Sequence, residues 1–238
     1  RGELAGCDVR YGTDARADFD EPAAPAERSA EIMPCTLKFI AQRLYGNRMP
    51  SEEEIRAVPW SAGFVEDKLF NWSNNVYPIA VRNNRGVYLH WGASVKDVDT
   101  RSARSLAAAY SVAFEHIGAA ADLWRKYGFK VYVAPKIGVR ECRRVMGEAV
   151  VTMHTIVGGE VPQDAVAFSS YGFDLWGSTV RDEKALNRKA RFYGIPYRAL
   201  VPKGTEGLLL AGKSISGSHL ACSSYRVQPI VTCIGEAA

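Results

Sequence analysis

Two stretches of the sequence gather the residue types that could do chemistry. In residues 135–152, PKIGVRECRRVMGEAVVT, Arg140, Arg143 and Arg144 stand among β-branched and apolar neighbours. A guanidinium in such surroundings needs a carboxylate partner or an anionic ligand, because burying a bare charge is expensive. Ion pairs to Glu141 and Glu148 are the structural reading, an anionic substrate is the functional one, and the sequence leaves both open. The second stretch is residues 207–238, GLLLAGKSISGSHLACSSYRVQPIVTCIGEAA, where Lys213, Ser214, Ser216, Ser218 and His219 follow an apolar run bounded by Gly207 and Gly212. Gly207 to Ser214 satisfies the GxxxxGK[ST] phosphate-loop pattern, but its context does not. Such a loop is glycine-rich between a strand and a helix that starts at the lysine. Here the intervening residues are LLLA and the lysine opens a Ser/Gly loop. A nucleotide triphosphatase is therefore a minor alternative. A serine hydrolase is weaker still, since no GxSxG elbow presents a serine to His219.

The elements that must position these residues can be read from periodicity. Leu208 to Ala211 reads as a short strand buried on both faces. From Ser224 onward Val227, Ile230, Val231, Ile234 and Ala238 recur at helical spacing, with Ser223 or Ser224 as cap and Pro229 near the first turn, where its missing N–H costs least. A strand, a glycine turn and a helix N-terminus make a site for an anion or an electron-rich ring. The clearest helix spans about 101–127, with Asp99 or Thr100 as cap, Gly128 as stop and His116 on its surface. Residues 32–40, 76–81, 86–91 and 129–134 read as strands, 82–86 as a hairpin turn, and Ser51 as the start of a short helix. Residues 135–152 read as strand, turn, strand, and residues 13–28, rich in Asp, Glu, Pro and Ala, as an exposed connection.

Composition bounds the partners. The chain has 238 residues, 47% of them hydrophobic, which suffices for a sizeable core in one large or two small domains. A net charge of +4 with both signs interspersed, and no basic tract with interleaved aromatics, argues against nucleic acid. No apolar run approaches the roughly 20 residues of a membrane helix. The five cysteines, Cys7, Cys35, Cys142, Cys222 and Cys233, are scattered and never form CxxC, so reduced thiols in a cytosol-like compartment are expected, without a zinc site or disulfide framework.

The segments IGVRECRRVMGE, PYRALVPKG and LLLAGKSIS, in that order and spacing, resemble the carboxyl-terminal half of the FAD-dependent oxidoreductase family of the glutathione-reductase-like flavoprotein superfamily. Residues 1–6 and 34–37 resemble it more loosely. The resemblance implies an α+β to α/β fold, in which a β-rich substrate domain with helices is set into a Rossmann-like FAD-binding domain. Residues 1–30 would be the remnant of that FAD-binding domain with its connection, 31–196 the substrate (cap) domain, and 197–238 the strand-helix return to the cofactor. It further implies FAD as cofactor and a small-molecule substrate. Gly212, Lys213 and Ser214 would approach the FAD, and Ser224, Arg226 and Val227 would stand at a helix N-terminus facing the flavin ring, whose reduced form is anionic at its pyrimidine end. Arg140 and Arg143 would lie in or near the substrate pocket, and His219 would be a proton donor or acceptor. The sequence departs from the family pattern in having no GxGxxG, in Cys142 for the usual serine and in Lys213 for the usual arginine. It reads as a piece of a larger flavoenzyme passing a hydride between a small organic substrate and FAD. The alternative is a non-catalytic binding module derived from the substrate domain. A homo-oligomer stays open.

Overall fold

The structure is a computed structural model and describes residues 2–51, 53–54, 57, 69–71, 76–78, 86–175, 186–187 and 189–238. The turn expected at 82–86, apart from Gly86, and residues 79–81 of the strand expected at 76–81 lie outside these residues. The chain divides into two compact units: a terminal unit of residues 1–33 and 141–238, and an inserted unit of residues 34–140. This differs from the division at 30 and 196 expected from the sequence, because residues 141–196 share a hydrophobic core with the two ends of the chain.

In the first part of the terminal unit, strand β1 (Val9–Arg10) precedes the short helix α1 (Arg16–Phe19). The connection expected to be exposed is in part buried. Thr13, Asp14 and Glu21 are 4%, 3% and 0% exposed: Thr13 Oγ1 donates to the Glu31 carbonyl at 2.9 Å, and the carboxylates of Asp14 and Glu21 serve partners far away in the sequence, described below.

Among its described residues, the inserted unit has an antiparallel sheet covered by a long helix. Strands β2 (Cys35–Arg43), β3 (Leu69–Asn71), β4 (Val76–Pro78), β5 (Val87–Val95) and β6 (Phe129–Val133) take the order β3-β5-β2-β6, with β4 also on β5. Alternation along β2 puts Cys35, Leu37, Phe39 and Ala41 on the buried face. Helix α2 (Ala103–Lys126) meets that face with Ala109, Ala113, Ile117, Ala120 and Trp124, three- and four-residue steps that keep one stripe apolar. Trp124 stands edge-on to Phe129 with ring centroids 4.9 Å apart, and His90 stacks on Phe39 at 4.4 Å. A register shift between Leu37 and Phe39 faces Gly92, whose φ of +66° and approach to the Leu37 carbonyl (a Cβ would stand 2.1 Å from it) admit no side chain.

Three expectations are corrected in this unit. The cap of α2 is Ser102, whose Oγ accepts the Ser105 N–H at 3.2 Å. The Asp99 carboxylate is instead taken by the backbone N–H and guanidinium of Arg101. His116 is 2% exposed rather than at the surface, since it falls three residues after Ala113 and four before Ala120, on the core stripe; burial pushes its imidazole down to about 4. The strand expected at 32–40 runs from Cys35 to Arg43. At the start of the short helix near Ser51, Ser51 and Glu54 exchange side-chain-to-backbone hydrogen bonds as its sequence predicts.

The terminal unit resumes with β7 (Arg144–Val145), paired antiparallel with β1. Helix α3 (Met153–Gly158) follows, then strands β8 (Ala165–Ser169) and β9 (Tyr193–Pro196), which pair with each other. Helices α4 (His219–Tyr225) and α5 (Gln228–Ala237) close the chain, and Ile156, Tyr193, Ile195, Leu200, Ile215 and Tyr225 fill the core. Residues 135–152 are not strand, turn, strand. Apart from β7 and isolated bridges at Gly138, Gly147 and Val151 they are irregular, because their polar groups bond outward to other segments rather than along a ladder.

Candidate functional site

The C-terminal stretch departs from its expected strand-turn-helix in two ways. Leu208 to Ala211 lies in no sheet, and of its four backbone amides only that of Leu210 is bonded among the described residues, to the Leu200 carbonyl at 2.8 Å. Gly212–Ser214 then forms a single 3-10 turn. Gly212 takes φ +70° with open space where a Cβ would stand, and Lys213 and Ser214 are partly exposed. The helix does not begin at Ser224. It is two helices, α4 capped by Ser218 and α5 entered through extended Val227. The break follows from Pro229, which as the second residue of α5 cannot continue a helix coming from α4 without losing a bond and clashing. Since no helix starts at Lys213, the phosphate-loop reading fails here.

Ser224 is accordingly buried inside α4, where its hydroxyl donates to the Tyr171 carbonyl at 2.6 Å and meets the Tyr193 hydroxyl at 2.7 Å. Arg226 is tied to the Asp174 carboxylate at 2.7 Å. Val227 caps α5 without any side-chain hydrogen bond, and Gln228 and Pro229 are exposed. The first amides of a helix lack intrahelical partners and favour negative charge. The open turn at Gly212 and the uncapped start of α5 thus fit an electron-rich ring, and Ser224 and Arg226 brace the same corner from within.

Of the arginines singled out by sequence, Arg140 belongs to the inserted unit and donates to the Pro34 carbonyl and to Thr36 Oγ1. Arg143 belongs to the terminal unit, is partly exposed and pairs with Glu3. The buried guanidinium is their neighbour. Arg144 is 0% exposed and bonds Glu141, the Asp14 carboxylate (2.9 Å), the Gly12 carbonyl (2.9 Å) and the Gly217 carbonyl (3.0 Å).

These partners converge on His219, the first residue of α4. Its backbone N–H donates to Asp14 Oδ2 at 2.7 Å, and its ring Nδ1 lies 2.9 Å from Glu141 Oε1. The other Glu141 oxygen accepts the Met33 N–H at 3.3 Å. Burial alone would raise the Glu141 carboxyl, but the His219 ring and the Arg144 guanidinium outweigh it and hold the group below its ordinary range. One residue earlier, Ser218 Oγ accepts the Ala221 N–H at 3.1 Å and donates to Glu21 Oε1 at 2.6 Å, an oxygen that also accepts the Met153 N–H at 2.6 Å. Glu21 has the opposite bias. Burial raises its carboxyl, and its two hydrogen bonds do not offset that. The thiol of Cys222, in the next turn of α4, is pushed up to about 12 by burial, so it stays protonated.

With Nδ1 and the backbone engaged, His219 Nε2 is buried and has no hydrogen-bond partner among the described residues. Buried polar atoms are nearly always satisfied, and an orphan at the end of so ordered a chain of bonds is a place where chemistry can attach. Sequence reasoning singled out His219, named Arg144 among the arginines that need a partner and offered Glu141 as a salt-bridge partner, which Arg144 does take; it missed Asp14 and Glu21. The signal for the pair was the three-residue step from Glu141 to Arg144. A separate cleft of about 930 Å³ runs along Glu148, Tyr197, Pro202, Thr205, Leu208 and Leu209 and includes neither His219 nor Glu141.

A family model described as FAD dependent oxidoreductase matches residues 2–238. No curated protein and no solved structure matches the chain.

Proposed function

Because the chain belongs to the FAD dependent oxidoreductase family, whose cofactor is FAD, we propose that it serves hydride transfer between a small organic substrate and FAD, with His219 moving the accompanying proton. Bound FAD supplies the acceptor or donor of the hydride. Gly212, Lys213 and Ser214 at the turn and Val227 at the start of α5 would hold it, supported by Ser224 and Arg226 from beneath. The observation that carries the reading is the His219 ring, fixed by Glu141 at Nδ1 and left with a buried, unpartnered Nε2. An imidazole is suited to such proton transfer near neutral pH. Arg140 and Arg143 are engaged by Thr36 and Glu3 respectively, so substrate contact by either would require exchange of those partners.

The test uses the full-length gene product that carries this chain. After incubation with FAD it should show flavin absorbance in the visible, and the bands should bleach with a member of a panel of small hydroxy and amino compounds. A protein that stays colourless would overturn the flavin reading. His219→Asn keeps a donor where Nδ1–H stands but has nothing at Nε2. It should retain FAD and lower turnover by roughly a hundredfold or more, the usual scale for loss of a general acid or base. Unchanged turnover would remove His219 from the mechanism.

A further inference from the structure

We infer that Glu141 is the positioning residue of this site: clamped by Arg144, it takes the Nδ1 proton of His219 and thereby fixes Nε2 as the ring atom that exchanges a proton. The inference rests on the reading of His219 given above. Its geometric basis is independent of FAD. An ionised carboxylate has acceptor sites only, and Glu141 Oε1 already receives an Arg144 N–H, with Oε2 receiving the Met33 N–H. The contact of 2.9 Å between Oε1 and Nδ1 therefore requires the proton on Nδ1. A neutral imidazole carries one N–H, so Nε2 is left with its lone pair. The opposite tautomer would set two lone pairs against each other in a fully buried place.

The clamp holds the residue at a second point. Asp14 takes the His219 backbone N–H, and Arg144 joins Asp14 to Glu141 through two of its nitrogens. Backbone and ring of His219 are thus referred to one guanidinium, itself anchored on the carbonyls of Gly12 and Gly217. Rotation of the ring would break the Nδ1 bond and leave the fully buried Glu141 oxygen with one donor fewer. Glu141 touches no atom expected to react; it acts through His219.

Nitrogen-15 NMR of the histidine-labelled, FAD-loaded protein reads the tautomer directly, in the alkaline range where rings are neutral. His219 is expected to show a protonated Nδ1 and an unprotonated Nε2. A protonated Nε2 would overturn the inference even if His219 proves essential, and an Nδ1–H ring in a protein whose His219→Asn variant turns over normally would overturn only the functional reading. Kinetics gives the second arm. Glu141→Gln should lower kcat by roughly tenfold or more with KM and flavin content within about twofold of wild type. Added to His219→Asn it should lower kcat no further, because residues that act through one another are non-additive. Losses that multiply in the double variant would show that Glu141 has a merely structural role. Should Glu141→Gln fail to fold, the NMR measurement on the wild-type protein still decides.

Discussion

In the inserted unit the interior is mainly rings and methyl groups, with a few neutral polar side chains such as Thr36 and Ser94 among them: Trp124 lies within ring-contact distance of Phe39, Tyr88, His90 and Phe129, over a floor of small residues on α2. In the terminal unit five ionisable side chains, Asp14, Glu21, Glu141, Arg144 and His219, are each 3% exposed or less. Apolar filling is favourable by itself. Buried ions cost desolvation that their mutual attraction barely returns, so an ion cluster is poor evidence for stability and better evidence that its members hold something in place. Here what they hold is His219. The comparison separates a scaffold, whose packing is generic, from a site, whose polar order is specific.

The harshest way to probe the difference is Arg144→Met, which leaves Glu141 and Asp14 buried without their cation. It should lower unfolding stability by about 3–5 kcal/mol in urea titrations; a loss below about 1 kcal/mol would mean that the carboxylates find other partners and that the cluster is not the rigid unit described. In the inserted unit the ionisable weak point is His116. Its imidazole in the fold is at about 4 against an ordinary 6.5, so between those values the unfolded chain binds a proton that the folded chain does not. Stability is then fully present above pH 6.5 and falls as the pH drops toward 4, by on the order of 3 kcal/mol. His116→Leu should flatten that slope, measured as unfolding free energy at several pH values. A plain packing change such as Ile117→Val should cost about 1 kcal/mol at every pH, and a pH-dependent cost there would blur the distinction between the units.

The smallest effect belongs to Glu21. Its carboxyl is raised in the fold, so the protonated form contributes stability that is present below its ordinary value and lost as the pH rises through the raised one. Glu21→Gln copies the neutral acid and keeps an acceptor for Ser218 and Met153. It should stabilise the protein at pH 8 and do little at pH 4. Stabilisation of equal size at both would show that folding does not raise the Glu21 carboxyl. Glu141, whose carboxyl is lowered by His219 and Arg144, has the reverse sign and weakens the fold as acid is added.

What could be read from the sequence is what short-range spacing determines. The stripe of α2, the alternation of β2, the Ser51 cap and the place of His219 behind the glycine turn are all local patterns. The family, too, was legible, because its segments keep their order and spacing. The long-range part of the ion cluster was not. Arg144 meets Asp14 across 130 residues, and Ser218 meets Glu21 across 197, so nothing near residues 13–28 marks these acids as buried; their composition is that of a solvated connection. His116 was misplaced because a histidine amid alanines looks like a polar break in the stripe, when the stripe's own spacing passes through it. The joint between α4 and α5 was hidden because the helix was drawn from Ser224, ahead of the apolar period that begins at Val227, and Pro229 was fitted into one helix instead of starting a second.

The unpaired run from Leu208 to Ala211 has a consequence for hydrogen exchange. With Leu210 alone bonded through its amide among the described residues, the amides of Leu208, Leu209 and Ala211 should trade their protons for solvent deuterium at rates close to those of an open coil, while the amides of α4 a few residues on are locked. Slowing confined to these positions, followed by mass spectrometry while FAD is titrated in, would make this run the molecule's own gauge of when the turn at Gly212 has taken hold of its cofactor.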